Sequence, residues 1–128
     1  MLAVMAGGVV GTLARWGVAE ALASTPDRFP WATLVVNVSG AFLLGAVGVL
    51  LIERLANVGN MRNFLAIGLL GSYTTFSTMA LEGVRLIEAR RVAIAAGYWA
   101  ITLLLGQAAG LMGMWLGRWR TPIWKETA

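Results

Sequence analysis

Residues 71–78 read GSYTTFST and lie in the middle of a strongly apolar segment. Five of these eight side chains are serine or threonine, and none carries a charge. Polar groups at membrane depth are costly unless they find partners or line a wet path. Because serine and threonine hydroxyls can hydrogen-bond freed backbone groups, the stretch predicts a transmembrane helix that is broken midway. This break is the first place to look for a functional site.

The composition predicts an integral membrane protein. Of the 128 residues, 59% are hydrophobic and only 12% are charged. A soluble domain of this size buries only about two-thirds of its surface and could not cover so much apolar area. The absence of cysteine and histidine excludes disulfides, thiolate chemistry and the commonest metal ligands. The net charge of +4 is spread over segment ends, which gives nucleic-acid binding no support.

Four segments are long enough to cross a bilayer, which takes about 20 apolar residues. They cover about 2–22, 31–52, 64–88 and 92–116. We therefore predict an all-α, multi-pass protein with one four-helix transmembrane domain over residues 1–128, embedded in the lipid bilayer. The links between spans are short, so consecutive helices run in opposite directions.

The positive charges predict dual topology. One side of the membrane receives five cations and the other receives four, with a fifth nearby. The first set is Arg54, Arg62, Arg118, Arg120 and Lys125; the second is Arg28, Arg85, Arg90 and Arg91, with Arg15 near it. Orientation follows the bias of such charges between the two sides. A chain with almost no bias can insert both ways, which predicts an antiparallel homodimer.

Small residues recur at four-residue spacing in the pairs Gly7/Gly11, Gly106/Gly110 and Gly113/Gly117. In lipid, such faces let helix backbones approach closely. Packing within the four-helix unit and packing between subunits are both open at this point.

The placement of charge argues against coupled transport and against an enzyme. A proton-coupled exporter needs an ionisable group deep in the bilayer, but Glu20 and Glu82 each lie toward a segment end. No pair of titratable groups is forced together for acid–base catalysis.

Uncharged polar residues remain at membrane depth, above all Asn37. An unpaired amide in hydrocarbon costs several kcal/mol, so Asn37 either bonds another helix or faces a pore, and both alternatives stay open. A path of amide, hydroxyl and ring-edge groups suits a small, hard anion, whereas a cation path would present carbonyls or carboxylates.

Three motifs resemble the Fluc (CrcB-type) fluoride channels of bacteria. They are GGVVGTLARW at 7–16, WATLVVNVSG at 31–40 and GSYTTFST at 71–78, and they occur in the order and at the spacing of that family. The resemblance implies a passive, fluoride-selective channel of the bacterial inner membrane that exports cytoplasmic fluoride. It also implies an antiparallel homodimer with two pores, each lined by both subunits, and a structural sodium ion on the two-fold axis.

The resemblance also carries roles onto individual residues. The backbone carbonyls of Gly71 and Thr74 would bind the sodium ion. Phe76 would contact fluoride with its ring edge, and other residues would line or adjoin the same path: Asn37, Ser77, Thr78, Tyr98 and Thr102. Arg15 and Glu82 would have structural or vestibule roles.

This chain departs from the family pattern at two positions. Met79 stands where the family commonly has a second phenylalanine; it is similar in volume but has no electropositive ring edge, which makes it the weakest of the predicted pore residues. Gly106 replaces a hydroxyl expected one turn beyond Thr102.

Two other classes of protein are alternatives. A small multidrug-type proton-coupled exporter also uses four short spans, but it expects a carboxylate in the centre of the first span. A non-transporting assembly subunit would use Asn37 and the hydroxyl run only for packing.

Overall fold

The computed structural model describes residues 1–23, 25, 28–53 and 59–119. Throughout these residues the secondary structure is helical, with no strand. The elements are α1 (Leu2–Ala21), α2 (Trp31–Glu53), α3 (Gly59–Arg62), a π-helix (Asn63–Leu70), α4 (Gly71–Tyr73), α5 (Phe76–Glu88) and α6 (Val92–Trp119). Three of the cations counted above, Arg54, Arg120 and Lys125, lie outside the described residues.

Within the part of the chain that the structure describes, four stretches are long and apolar enough to cross a membrane, which confirms the predicted all-helical, four-span architecture. They are Leu2–Ala21, Trp31–Leu51, Gly59–Glu88 and Val92–Trp119. The third begins five residues before the predicted start at residue 64, because α3 and the π-helix run without interruption into the apolar segment. The fourth extends to Trp119, one turn beyond the predicted end.

The third span is broken, as predicted, at Thr74 and Thr75. Both residues have extended backbones, with φ −75° and ψ 156° at Thr74 and φ −150° and ψ 118° at Thr75. β-Branched side chains favour this conformation over the helical one. Helix α5 then restarts at Phe76, so one transmembrane element consists of two helical halves joined by two extended residues.

Close helix packing within the chain depends on glycine at several of the repeated positions. A Cβ added at Gly7 or Gly11 of α1 would overlap backbone atoms of the π-helix, and one at Gly113 of α6 would overlap the Phe42 carbonyl of α2. Gly106, in contrast, has open space around its Cα. The pair Gly7/Gly11 therefore packs inside the four-helix unit, and Gly113 does the same for α6 against α2.

A buried apolar cluster joins α2, α5 and α6. It comprises Leu34, Met79, Leu86, Ala95 and Tyr98. The indole Nε1–H of Trp99 donates to the Met79 carbonyl at 3.2 Å, and its ring fills the space where a side chain at Gly83 would lie. These contacts fix α5 against α6 on the C-terminal side of the break.

Helix α5 ends in a Schellman motif whose left-handed position is occupied by arginine. Arg90 has φ 58°, its N–H donates to the Ile87 carbonyl at 2.9 Å, and the Arg91 N–H donates to the Leu86 carbonyl at 2.7 Å. A left-handed residue with a side chain costs about 1–2 kcal/mol, whereas glycine adopts this conformation freely.

We expect Arg90→Gly to stabilise the protein by about 0.5–1 kcal/mol after the extra chain entropy of glycine is subtracted. The midpoint of thermal unfolding in detergent should rise by about 2–4 °C. Arg91→Gly is the matched control, because it removes a cation from the same loop without relieving a left-handed residue, and it should not raise the midpoint. An equal rise in both variants would contradict this explanation.

Candidate functional site

The break is held by the side chain of Asn37, which pairs with the backbone of Thr75. Asn37 Oδ1 accepts from the Thr75 N–H at 2.8 Å, and Asn37 Nδ2 donates to the Thr75 carbonyl at 2.9 Å. The amide thus bonds to an extended residue as a neighbouring strand would. It satisfies two backbone groups that the break removes from the helix, and one N–H of its NH₂ group is left over.

The hydroxyls of the break bond mostly to nearby groups. Thr75 Oγ1 accepts from the Thr78 N–H at 3.2 Å and so caps α5; it also donates to Thr78 Oγ1 at 2.9 Å. On the other side, the N–H and the hydroxyl of Thr74 both donate to the Leu70 carbonyl, at 3.1 and 3.0 Å. The hydroxyl run therefore terminates one helical half and starts the next.

Two carbonyls lose their usual donors as a result. In a continuous helix the Gly71 carbonyl would accept from Thr75 N–H, and the Thr74 carbonyl from Thr78 N–H. Here the first N–H donates to Asn37 and the second to the Thr75 hydroxyl. Gly71 is exposed on the surface of the chain. Carbonyl oxygens are ligands that a hard cation prefers. The two freed carbonyls therefore suit the sodium ion that the sequence resemblance implies.

A groove of about 550 Å³ lies beside the break. It brings together four of the residues predicted to line the fluoride path: Asn37, Phe76, Met79 and Thr102. Phe76 is 74% exposed, so its ring stands at the open side of the groove. Met79 contributes to the wall but is only 6% exposed and belongs mainly to the apolar cluster.

This groove continues along the interface of α2 and α6. A second space of about 500 Å³ shares Ala41, Leu44, Gly106 and Gln107 with the first. It extends as far as Arg118 near the end of α6. The absence of a side chain at Gly106 leaves the junction of the two spaces open.

A separate cavity of about 530 Å³ lies on the other side of the break. Arg15 and Glu82, the two residues predicted for a vestibule, both line it, and it reaches Thr75 and Thr78. The Glu82 carboxylate accepts hydrogen bonds from the hydroxyls of Thr33 at 3.0 Å and Tyr98 at 2.7 Å. An arginine, a carboxylate and several hydroxyls thus line the same cavity.

Two of the predicted path residues lie elsewhere. Ser77 is exposed and lines neither the groove nor the cavity that contains Arg15. Tyr98 is fully buried and reaches this cavity only through its bond to Glu82.

Sequence reasoning gave no separate role to Thr75, which bonds Asn37 and caps α5. A threonine three residues before Thr78 at a helix start is a capping signal that could have found it. It also missed the contact between the hydroxyls of Tyr73 and Ser39, at 3.0 Å, for which the sequence carries no signal.

Comparison with known proteins gives a consistent result. The family described as CrcB-like protein, Camphor Resistance (CrcB), matches residues 2–114. A protein of Nocardia farcinica named fluoride-specific ion channel FluC 2 is 40% identical over 121 residues, which cover 94% of this chain and 86% of the relative. The fluoride-specific ion channel FluC of Pseudomonas fluorescens is 41% identical over 118 residues, covering 91% and 92% of the two chains. FluC 1 of Mycobacterium bovis is 42% identical over 109 residues, covering 85% and 83%.

Proposed function

The chain belongs to the CrcB-like protein family, and from this membership we propose that it conducts fluoride ions passively and selectively across the membrane. It is a multi-pass protein of the bacterial inner membrane and a channel, not an enzyme. Its task is the export of cytoplasmic fluoride. Undissociated hydrogen fluoride crosses lipid and ionises in the near-neutral cytoplasm, and a channel lets the trapped anion leave down its electrochemical gradient.

The groove beside the break is the observation that supports an anion path most directly. Asn37, Phe76 and Thr102 all line this space, and none is charged. Amide N–H groups and aromatic ring edges are electropositive. A narrow path with such donors can replace the water around a small anion and exclude larger halides.

The exposed break supports a homodimer. Gly71, Phe76 and Ser77 are exposed on the single chain although they lie at membrane depth, where bare backbone groups are costly. A second copy would cover them and close the open groove into a conduit. The balanced cations favour an antiparallel arrangement, in which two-fold symmetry gives two pores, each lined by both subunits.

A structural sodium ion at the centre of the dimer would be held by the carbonyls of Gly71 and Thr74 from each chain. The ion would satisfy oxygens that the break deprives of donors and would join the two breaks. Its contribution would be structural, because it would neutralise carbonyl dipoles that otherwise repel one another.

The remaining predicted residues extend the path on either side. Thr78 lines the cavity containing Arg15 and Glu82 together with Thr75 of the break, and the exposed Ser77 would reach the path from the partner copy. Arg15 supplies positive charge in the cavity, which attracts anions from solution. Tyr98 holds the Glu82 carboxylate and so fixes the direction of this acidic group.

The family membership favours this function over a small multidrug-type exporter. In the described residues of α1 the acidic side chain is Glu20, at the end of the helix, where it is poorly placed for proton coupling.

The experiment that tests the proposal is fluoride efflux from liposomes containing the purified protein, with no proton gradient. We expect rapid release of fluoride and no release of chloride, measured with ion-selective electrodes. Chloride efflux as fast as fluoride efflux would refute selectivity. Transport that stalls without a proton gradient would favour the exporter.

A further inference from the structure

Helix α2 contacts three consecutive residues around the break, each through a different residue of its own. Asn37 bonds the backbone of Thr75. A Cβ at Gly40 would overlap the Thr74 methyl group, so the Thr74 side chain packs directly against the backbone of α2 there. The hydroxyl of Ser39 meets that of Tyr73 at 3.0 Å.

The direction of the bond between Tyr73 and Ser39 follows from their other contacts. Ser39 Oγ lies 2.6 Å from the Val35 carbonyl, to which it must donate its single proton. The Tyr73 hydroxyl is therefore the donor to Ser39 Oγ. The result is a chain of two hydrogen bonds that ties the end of α4 to the backbone of α2.

Tyr73 lies between the two carbonyls that the break frees. Gly71 belongs to the same helical turn, α4, and the Thr74 carbonyl follows directly after Tyr73 in the chain. Because α4 is the last turn of the helical half that ends at the break, its side-chain anchor limits how far this terminal turn can shift or twist. Any such movement would change where both carbonyl oxygens point.

We infer that Tyr73 and Ser39 are positioning residues for the sodium ion, and that their hydrogen bond holds the Gly71 and Thr74 carbonyls in the orientation the ion requires. The inference rests on the sodium site in the proposed function and goes beyond it, since neither hydroxyl touches the ion. Loss of a group that orients a metal ligand without touching the metal commonly lowers metal affinity by about tenfold.

Sodium-dependent thermal stability of the full-length protein in detergent tests this role. An ion that binds only the folded state raises the unfolding midpoint, and the rise grows with the concentration of the ion. Sodium chloride is titrated against N-methylglucamine chloride at constant ionic strength. We expect Tyr73→Phe to raise the half-saturating sodium concentration by about three- to tenfold, the effect of one lost neutral hydrogen bond. At saturating sodium the midpoint should return toward the wild-type plateau.

Two further variants make the test specific. Ser39→Ala removes the acceptor but keeps the tyrosine ring, so it should produce the same shift even where Tyr73→Phe folds poorly. The double variant should show no additional shift, because each substitution removes the same hydrogen bond. Tyr98→Phe is the matched control: it removes a tyrosine hydroxyl bonded to Glu82 and should leave the sodium titration unchanged.

Two results would overturn the inference. One is a midpoint lowered by the same amount at every sodium concentration in Tyr73→Phe and Ser39→Ala, which would mean a purely structural role. The other is a flat wild-type titration, which would remove the sodium site while leaving fluoride conduction intact. Failure of fluoride efflux from liposomes, with the sodium shift still present, would instead refute conduction and leave the positioning role standing.

Discussion

Replacement of Phe76 by isoleucine is expected to abolish fluoride efflux from liposomes while the protein still folds. Isoleucine is apolar, but it lacks the electropositive ring edge that would face the anion. An anion without a compensating partner in an apolar passage meets a barrier higher by several kcal/mol. Each increment of about 1.4 kcal/mol lowers the rate tenfold, so flux should fall by about two to three orders of magnitude, to the leak of empty vesicles.

The exposure of Phe76 makes this result interpretable. At 74% exposure the ring contributes little to packing within one chain, so the substitution should not unfold the four-helix unit. Phe42→Ile is the matched control, since it makes the same change on α2 at a residue that lines neither the groove nor its extension; it should retain flux. Normal efflux from Phe76→Ile would exclude the ring from the path.

Sequence patterns predicted the architecture because each rests on a strong local rule. Span lengths follow from bilayer thickness, and the break follows from the cost of exposed polar groups in lipid. The hydroxyl run at 71–78 therefore located the break to within a few residues of Thr74 and Thr75. The glycine pairs illustrate a limit: spacing alone could not distinguish packing within the chain from packing between chains, and the contact of Gly11 with Leu69 decides it for α1.

The site was less predictable because its partners are distant in sequence. Asn37 and Thr75 are 38 residues apart, and no periodicity relates them. Asn37 was open to either a structural or a pore role from its type alone; its place in the structure supports both, with two polar atoms bonded to Thr75 and its side chain on the groove. The π-helix at Asn63–Leu70 has no residue signature that sequence reasoning could use.

Substitution of Asn37 by aspartate should make the stability of the protein depend on pH. A protonated carboxyl has one O–H donor and one carbonyl acceptor, the same pair that the amide presents to the Thr75 backbone. An ionised carboxylate has only acceptors, so it leaves the Thr75 carbonyl without a donor and places a charge at membrane depth, where it is costly. Asn37→Asp should therefore approach wild-type stability at acid pH and lose it progressively as pH rises and the carboxyl ionises.

The matched control is Asn37→Leu, which is similar in volume but cannot bond Thr75 at any pH. It leaves two buried backbone groups unpaired at a cost of about 1–3 kcal/mol each, so its unfolding midpoint should be low and should not recover in acid. Thermal unfolding in detergent from about pH 3 to about pH 8, a range that begins below the ordinary aspartate pKa of about 3.9, measures both variants beside the wild type. Thermal stability is the better readout because hydrogen fluoride crosses lipid unaided at low pH and would obscure efflux. A pH profile for Asn37→Asp that matches that of Asn37→Leu would show that the paired bonds to Thr75 do not hold the break, and the freed carbonyls of Gly71 and Thr74 would then need another explanation.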